Sequence, residues 1–217
     1  MPKIFNLGEQ NPALSGVSMI YGDGLCSNIF VLGREHAALV DTGVGNWMNP
    51  VWPQLTELGV GPGQLEKVIL THTHHDHFSG LFLIMEKVRP KVYIHSKDTK
   101  YIAKHLGDML VKVEEGEVID TELWPLEVIW TPGHTEGGMC LYNRERRILF
   151  SGDTAFGDGY FGAFQGESGS YRQLVGSLKK LTELKVDVML PGHGQPIYDD
   201  PEGNLMLAYQ TASNWGR

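Results

Sequence analysis

Cysteine is nearly absent from these 217 residues: there are two, Cys26 and Cys140. Two isolated thiols exclude a disulfide-stapled scaffold, a zinc knuckle and a closely spaced redox pair. Both lie in apolar stretches that read as strands, and the expectation is two reduced core thiols. Long apolar runs are missing too. Nothing approaches the ~18 residues of a membrane span, and the start, MPKIFNLGEQNP, carries no signal-peptide core. Both absences read as a cytoplasmic protein. Basic charge is scarce, with 18 Lys and Arg against 26 Asp and Glu, a net charge of −8. That balance leaves no basic stripe for nucleic acid. The chain also lacks a Gly-x-Ser-x-Gly elbow, and with it the serine nucleophile such an elbow presents.

Hydrophobic residues make up 41 % and charged residues 20 %, the balance of an ordinary globular protein. Residues 1–217 read as one domain. Apolar runs alternate with turn signals along the chain. SMIY, CSNIFVLG, AALVDTG, KVIL, KVYIH, VKVEEGEVI, WPLEVIW, MCLYN, RRILF and VDVML read as strands. Helical spacing runs over 49–58, 78–88, 97–105 and 171–184, with a short closing helix near 204–212. Two series of strands, each followed by helices, predict an α/β architecture of two mixed sheets with helices outside.

Histidine is abundant where cysteine is not. Four of the nine histidines fall between His72 and His77, beside Asp76, in THTHHDH. His72, His74, Asp76 and His77 follow the end of KVIL. His134 in TPGH, Asp153 in SGD and His193 in PGH follow three further strands. Loops at strand ends are where α/β folds build sites, and imidazole and carboxylate ligate first-row metals. Seven such groups are too many for one tetrahedral ion and suffice for two if a carboxylate bridges. His75 reads as facing away, His36 and His105 as surface residues, and His95 as a satisfied histidine at a strand end.

THTHHDH, TPGHTEGG, SGDT and PGHG, in that order, resemble the metallo-beta-lactamase superfamily over nearly the whole chain. The resemblance implies a four-layer αβ/βα sandwich with metals at one edge. It implies that His72, His74 and His134 hold one ion, that Asp76, His77 and His193 hold a second, and that Asp153 bridges. Asp41, in the DTG turn, matches a position that supports the ligands from behind. True beta-lactamases of this fold lack the bridging aspartate, and the flavodiiron branch has glutamate where His74 stands. The branch that remains is similar to glyoxalase II-like thioesterases, lactonases and persulfide dioxygenases.

The expected activity is therefore a dinuclear metallohydrolase acting on a small-molecule thioester, ester or lactone. Zinc is the first expectation for the two divalent ions, with iron or manganese as options, and Asp76 is the expected general base. The alternative is a mononuclear iron persulfide dioxygenase using His72, His134 and Asp153. A third reading is a metal-binding module without catalysis. The loop GDGYFGAFQGES after Asp153 has no arginine, unlike the glycine-arginine element of the dioxygenase branch. Tyr21, Phe156, Tyr160, Phe161 and Phe164 are candidates for an aromatic wall by the metals, or for loop anchors. Only 24 residues follow His193, so no added C-terminal helical domain for glutathione is expected. Oligomeric state stays open, a homodimer included.

Overall fold

The computed structural model describes residues 3–46 and 49–215. They form two compact units. The first takes the chain up to Ile94 together with Thr99–Lys112 and Asp120–Pro125. The second takes His95–Asp98, Val113–Ile119 and the chain from Leu126 onward.

The first unit carries a seven-stranded sheet in the order β1 to β7. β1 (Ile4–Asn6), β2 (Val17–Ile20), β3 (Ile29–Leu32) and β4 (Ala37–Val40) pair antiparallel in sequence. β5 (Leu65–Ile69) and β6 (Lys91–His95) then add in parallel, so the sheet is mixed. β7 (Leu110–Val113) closes the edge. β2, β3 and β4 are buried at every position, as the apolar runs of β3 and β4 require, and Ser18 of β2 is buried with its apolar neighbours. Helix α1 (Val51–Glu57) buries Val51, Trp52 and Leu55 in the core of this unit.

Two expectations shift here. The sequence predicts a loop over the metal motif and then a helix over 78–88. Instead, a one-turn helix α2 (His75–Phe78) lies inside the motif, and α3 (Gly80–Met85) follows after Ser79. The turn closes because Phe78 N donates to His74 O and Ser79 N to His75 O. Gly80 permits the break. A Cβ there would sit 2.0 Å from Thr42 O, so only glycine lets α3 start against the DTG turn. The helix expected over 97–105 shrinks to a 3-10 turn at Ser96–Asp98 and the short α4 (Ala103–Leu106). Asp98 is held in that turn by Thr135 Oγ1, which donates to its carboxylate at 2.9 Å.

The second unit carries a five-stranded sheet in the order β12-β11-β10-β9-β8. β8 (Val118–Ile119), β9 (Leu126–Trp130), β10 (Met139–Asn143) and β11 (Ile148–Gly152) pair antiparallel. β12 (Val188–Pro191) joins β11 in parallel, so this sheet is mixed as well. Helix α5 (Tyr171–Leu181) is capped by the Ser170 side chain and buries Leu174, Leu178 and Leu181. That is one face at helical spacing, and each leucine contributes about 2 kcal/mol by leaving water. α6 (Pro201–Ser213) starts with Pro201 behind the Asp200 cap and buries Leu205, Ala208 and Ala212. Gly133, at φ +137, lets the TPGH turn lie on α5, where a Cβ would meet Leu174 N at 2.3 Å.

Candidate metal centre

In the first unit β5 ends at Ile69 and delivers the motif directly. His72 and His77 are buried, and His74 and Asp76 are half-buried. His72 Nε2 lies 3.1 Å from His74 Nδ1, and the rings meet edge to face. His77 Nε2 lies 3.6 Å from Asp76 Oδ2. Around a tetrahedral ion with bonds of ~2.0–2.1 Å, neighbouring donors stand about 3.3 Å apart. Both separations suit donors that share a cation.

The ring orientations are set from behind by Asp41, a buried carboxylate in the left-handed region at φ 58. Its Oδ1 accepts Thr71 N at 2.8 Å, and its Oδ2 accepts Thr71 Oγ1 and His77 Nδ1, each at 2.8 Å. A proton held on Nδ1 leaves the His77 lone pair on Nε2, the atom that faces Asp76. Thr71 Oγ1, its own proton given to Asp41, lies 3.1 Å from His72 Nδ1 and fixes that ring in the same sense. The supporting role expected of Asp41 is present in the geometry. Thr71, which sequence reasoning passed over, carries it to a second ring.

In the second unit the loops after β9, β11 and β12 bring His134, Asp153 and His193 together. His134 Nδ1 donates to Ala163 O at 2.6 Å, which turns Nε2 toward Asp153. Asp153 Oδ2 stands 3.5 Å from His134 Nε2 and 3.6 Å from His193 Nε2. One carboxylate oxygen thus faces two imidazole nitrogens at donor spacing, beyond normal hydrogen-bond length. Each of the seven expected ligands is among the residues able to contribute to a metal-holding group.

The remaining expectations sort clearly. His75 is exposed and edge-on to Phe78, His36 is exposed and bonded to Glu66, and His105 meets Phe82 edge-on. His95 is buried, stacked on Trp130 at 5.3 Å, with Nε2 3.3 Å from Glu114. Burial pulls its pKa down, so the neutral ring is favoured there. Both cysteines are free and buried. Cys140 is in β10 as expected, its thiol pushed up to about 11 by burial. Cys26 is not in a strand. It sits in the loop before β3 and accepts from Val44 N, and burial raises its pKa too.

The aromatic candidates divide. Tyr21 lines a cavity of about 600 Å³ with Asp76 in the first unit. Phe156, Tyr160 and Phe161 line another with His193 in the second. Phe164 is absent from that lining and packs on Tyr171 at 5.1 Å, so it is a loop anchor.

Comparison with known proteins gives a consistent family. Residues 21–193 match the model of the metallo-beta-lactamase superfamily. A hydroxyacylglutathione hydrolase of Francisella tularensis subsp. novicida (strain U112) is 33 % identical over 145 residues, 67 % of this chain and 54 % of the relative. One from Synechococcus sp. (strain JA-2-3B'a(2-13)) is 35 % identical over 149 residues, 68 % and 54 % respectively. The chain spans about half the length of the curated relatives it matches. Among solved structures, a metallo-beta-lactamase family protein from Thermus thermophilus superposes with a TM-score of 0.74. It is 20 % identical, and the match covers 91 % of this chain and 80 % of that one. ETHE1 from Myxococcus xanthus superposes at 0.69, with 19 % identity and coverage of 93 % and 91 %. These likenesses show the fold, two mixed sheets with helices, in agreement with the α/β expectation.

Proposed function

The chain belongs to the metallo-beta-lactamase superfamily, and from that premise we propose that it is a hydrolase working with two divalent metal ions on a thioester, ester or lactone. The two compact units are read as halves of one catalytic domain, since the matched stretch 21–193 runs through both. His72, His74 and His134 are assigned to one ion, Asp76, His77 and His193 to the other, and Asp153 to both. The observation that carries the reading is Asp153 Oδ2 at 3.5 and 3.6 Å from two imidazole nitrogens, a spacing that would suit a carboxylate shared by the two ligand sets. Zinc suits this set of nitrogen and oxygen donors, as do iron and manganese. The relatives named as hydroxyacylglutathione hydrolases support thioester hydrolysis. No described helix is long and apolar enough to cross a membrane, and we place the enzyme in the cytoplasm with a small-molecule substrate.

Two divalent ions, held by these residues, would supply Lewis acidity toward a carbonyl oxygen and would lower the pKa of a bound water toward ~7. The protein's own groups do the rest. Asp41 and Thr71 keep His77 and His72 in the tautomer that presents Nε2. Asp76 holds the attacking water in line and takes its proton on a carboxylate oxygen. As the water oxygen bonds to the acyl carbon, the carbon–sulfur or carbon–oxygen bond breaks. The proton on Asp76 then passes to the departing thiolate or alkoxide.

Metal analysis of the purified protein is expected to find close to two ions per chain, and His77→Ala to lose one and keep the other. A panel of small thioesters and lactones should be hydrolysed, with activity abolished by a chelator and restored by divalent metal. Stoichiometry fixed at one under metal-replete conditions, with oxygen uptake on glutathione persulfide and no ester hydrolysis, would replace this reading with the mononuclear iron alternative.

A further inference from the structure

An open cleft of about 750 Å³ lies beside His193 within the second unit. Three aromatic side chains, Phe156, Tyr160 and Phe161, line it, together with two carboxylates, Asp158 and Asp199. No lysine or arginine contributes to the lining. Among the described residues neither carboxylate has an ion-pair partner. The aromatic part reaches the candidate ligand, since the Phe156 ring lies 6.1 Å from the His193 ring, edge-on.

This wall is built rather than loose. Asn204 on α6 clamps the turn that carries Asp158. Its Nδ2 donates to Phe156 O at 2.6 Å, and its Oδ1 accepts Gly159 N at 3.2 Å. Phe156 N donates to Tyr160 O at 2.9 Å and closes the same turn. Phe161 is braced by Trp215, ring to ring at 5.8 Å.

Aromatic faces carry negative potential, and carboxylates add full negative charge. Together they are the chemistry that recognises an organic cation. A carrier bearing carboxylates meets repulsion here and finds no base to pair with. We propose that this cavity receives an ammonium group, so that the substrate is a thioester or ester with an alkylammonium or quaternary ammonium end. The proposal rests on the hydrolase reading above and narrows its substrate class away from anionic thiol carriers.

The test uses butyrylthiocholine and its uncharged carbon isostere, S-(3,3-dimethylbutyl) thiobutyrate, which share an acyl group and shape. The kcat/KM ratio is expected to favour the cation about threefold, the range of a cation–aromatic contact at an exposed site such as Tyr160. The difference should fall in KM. In the double variant Asp158→Asn, Asp199→Asn the ratio should drop toward one. Asn tolerates the left-handed backbone of residue 158, φ 56, so the variant keeps the turn. Choline binding is measured separately by NMR titration of the metal-loaded protein and should weaken in the double variant. Hydrolysis of both thioesters with no preference for the cation, or choline binding indifferent to the double variant, would overturn the proposal and leave the hydrolase reading standing. Choline binding that depends on the two carboxylates, with neither thioester cleaved, would support the cation site and sink the hydrolase reading instead.

Discussion

Asp76→Asn is expected to lower kcat by at least ~10²-fold, the lower end for loss of a positioned acid–base group. The residue is asked to do two things. In the proposed reading it supplies a ligand oxygen, its Oδ2 lying 3.6 Å from His77 Nε2, and accepts the proton of the attacking water. Asparagine keeps the size and one carbonyl oxygen but has neither the charge nor the basicity. The local backbone survives, because Ser27 N donates to the main-chain carbonyl of Asp76, not to its side chain. The ion assigned to His72, His74 and His134 is expected to stay, and the second to bind more weakly. The loss should fall on kcat more than on KM, since the base acts in the transition state. Saturating metal should recover little of it. Full recovery would make Asp76 only a ligand, and the proton would need another acceptor.

What could be read in the sequence, and what could not, follows from how local each feature is. The strands that precede the motifs are short apolar runs that break off at polar or turn residues, so KVIL, WPLEVIW, RRILF and VDVML were legible as β5, β9, β11 and β12. The donors at their ends were legible for the same reason. β1 was not, because Ile4–Asn6 is three residues with no alternation to detect. The one-turn helix inside THTHHDH leaves no local signal because histidine and aspartate are weak helix formers, and tertiary packing at Gly80 decides the matter. The partners that aim the donors are the least visible. Ala163 O holds His134, and Asn204 clamps the turn of Asp158, each across tens of residues and without a motif. Phe164 resembles its neighbours in the aromatic loop, and only its packing on Tyr171 separates it from them.

Asp41→Asn is expected to weaken binding of the ion assigned to His77 by ~10–100-fold, the usual cost of losing a carboxylate behind a ligating histidine. The carboxylate accepts three donors: Thr71 N on Oδ1, and Thr71 Oγ1 and His77 Nδ1 on Oδ2. An asparagine must place its amide nitrogen at one of those two positions. Opposite Thr71 N it would set two donors against each other in a buried place, and the main-chain N–H cannot turn away. The amide therefore takes the other position, facing Thr71 Oγ1 and His77 Nδ1. Thr71 can turn its hydroxyl and accept. His77 can accept only by moving its proton from Nδ1 to Nε2, which removes the lone pair from the atom meant for the metal. Asn also tolerates φ 58, so the turn itself is kept. The variant should fold, keep the ion of His72, His74 and His134, and show the reversed His77 tautomer in the nitrogen chemical shifts of the metal-free protein. Competition with a chromogenic chelator reads the affinity. An affinity within about twofold of wild type, with the tautomer unchanged, would mean that Asp41 serves the turn and not the ligand.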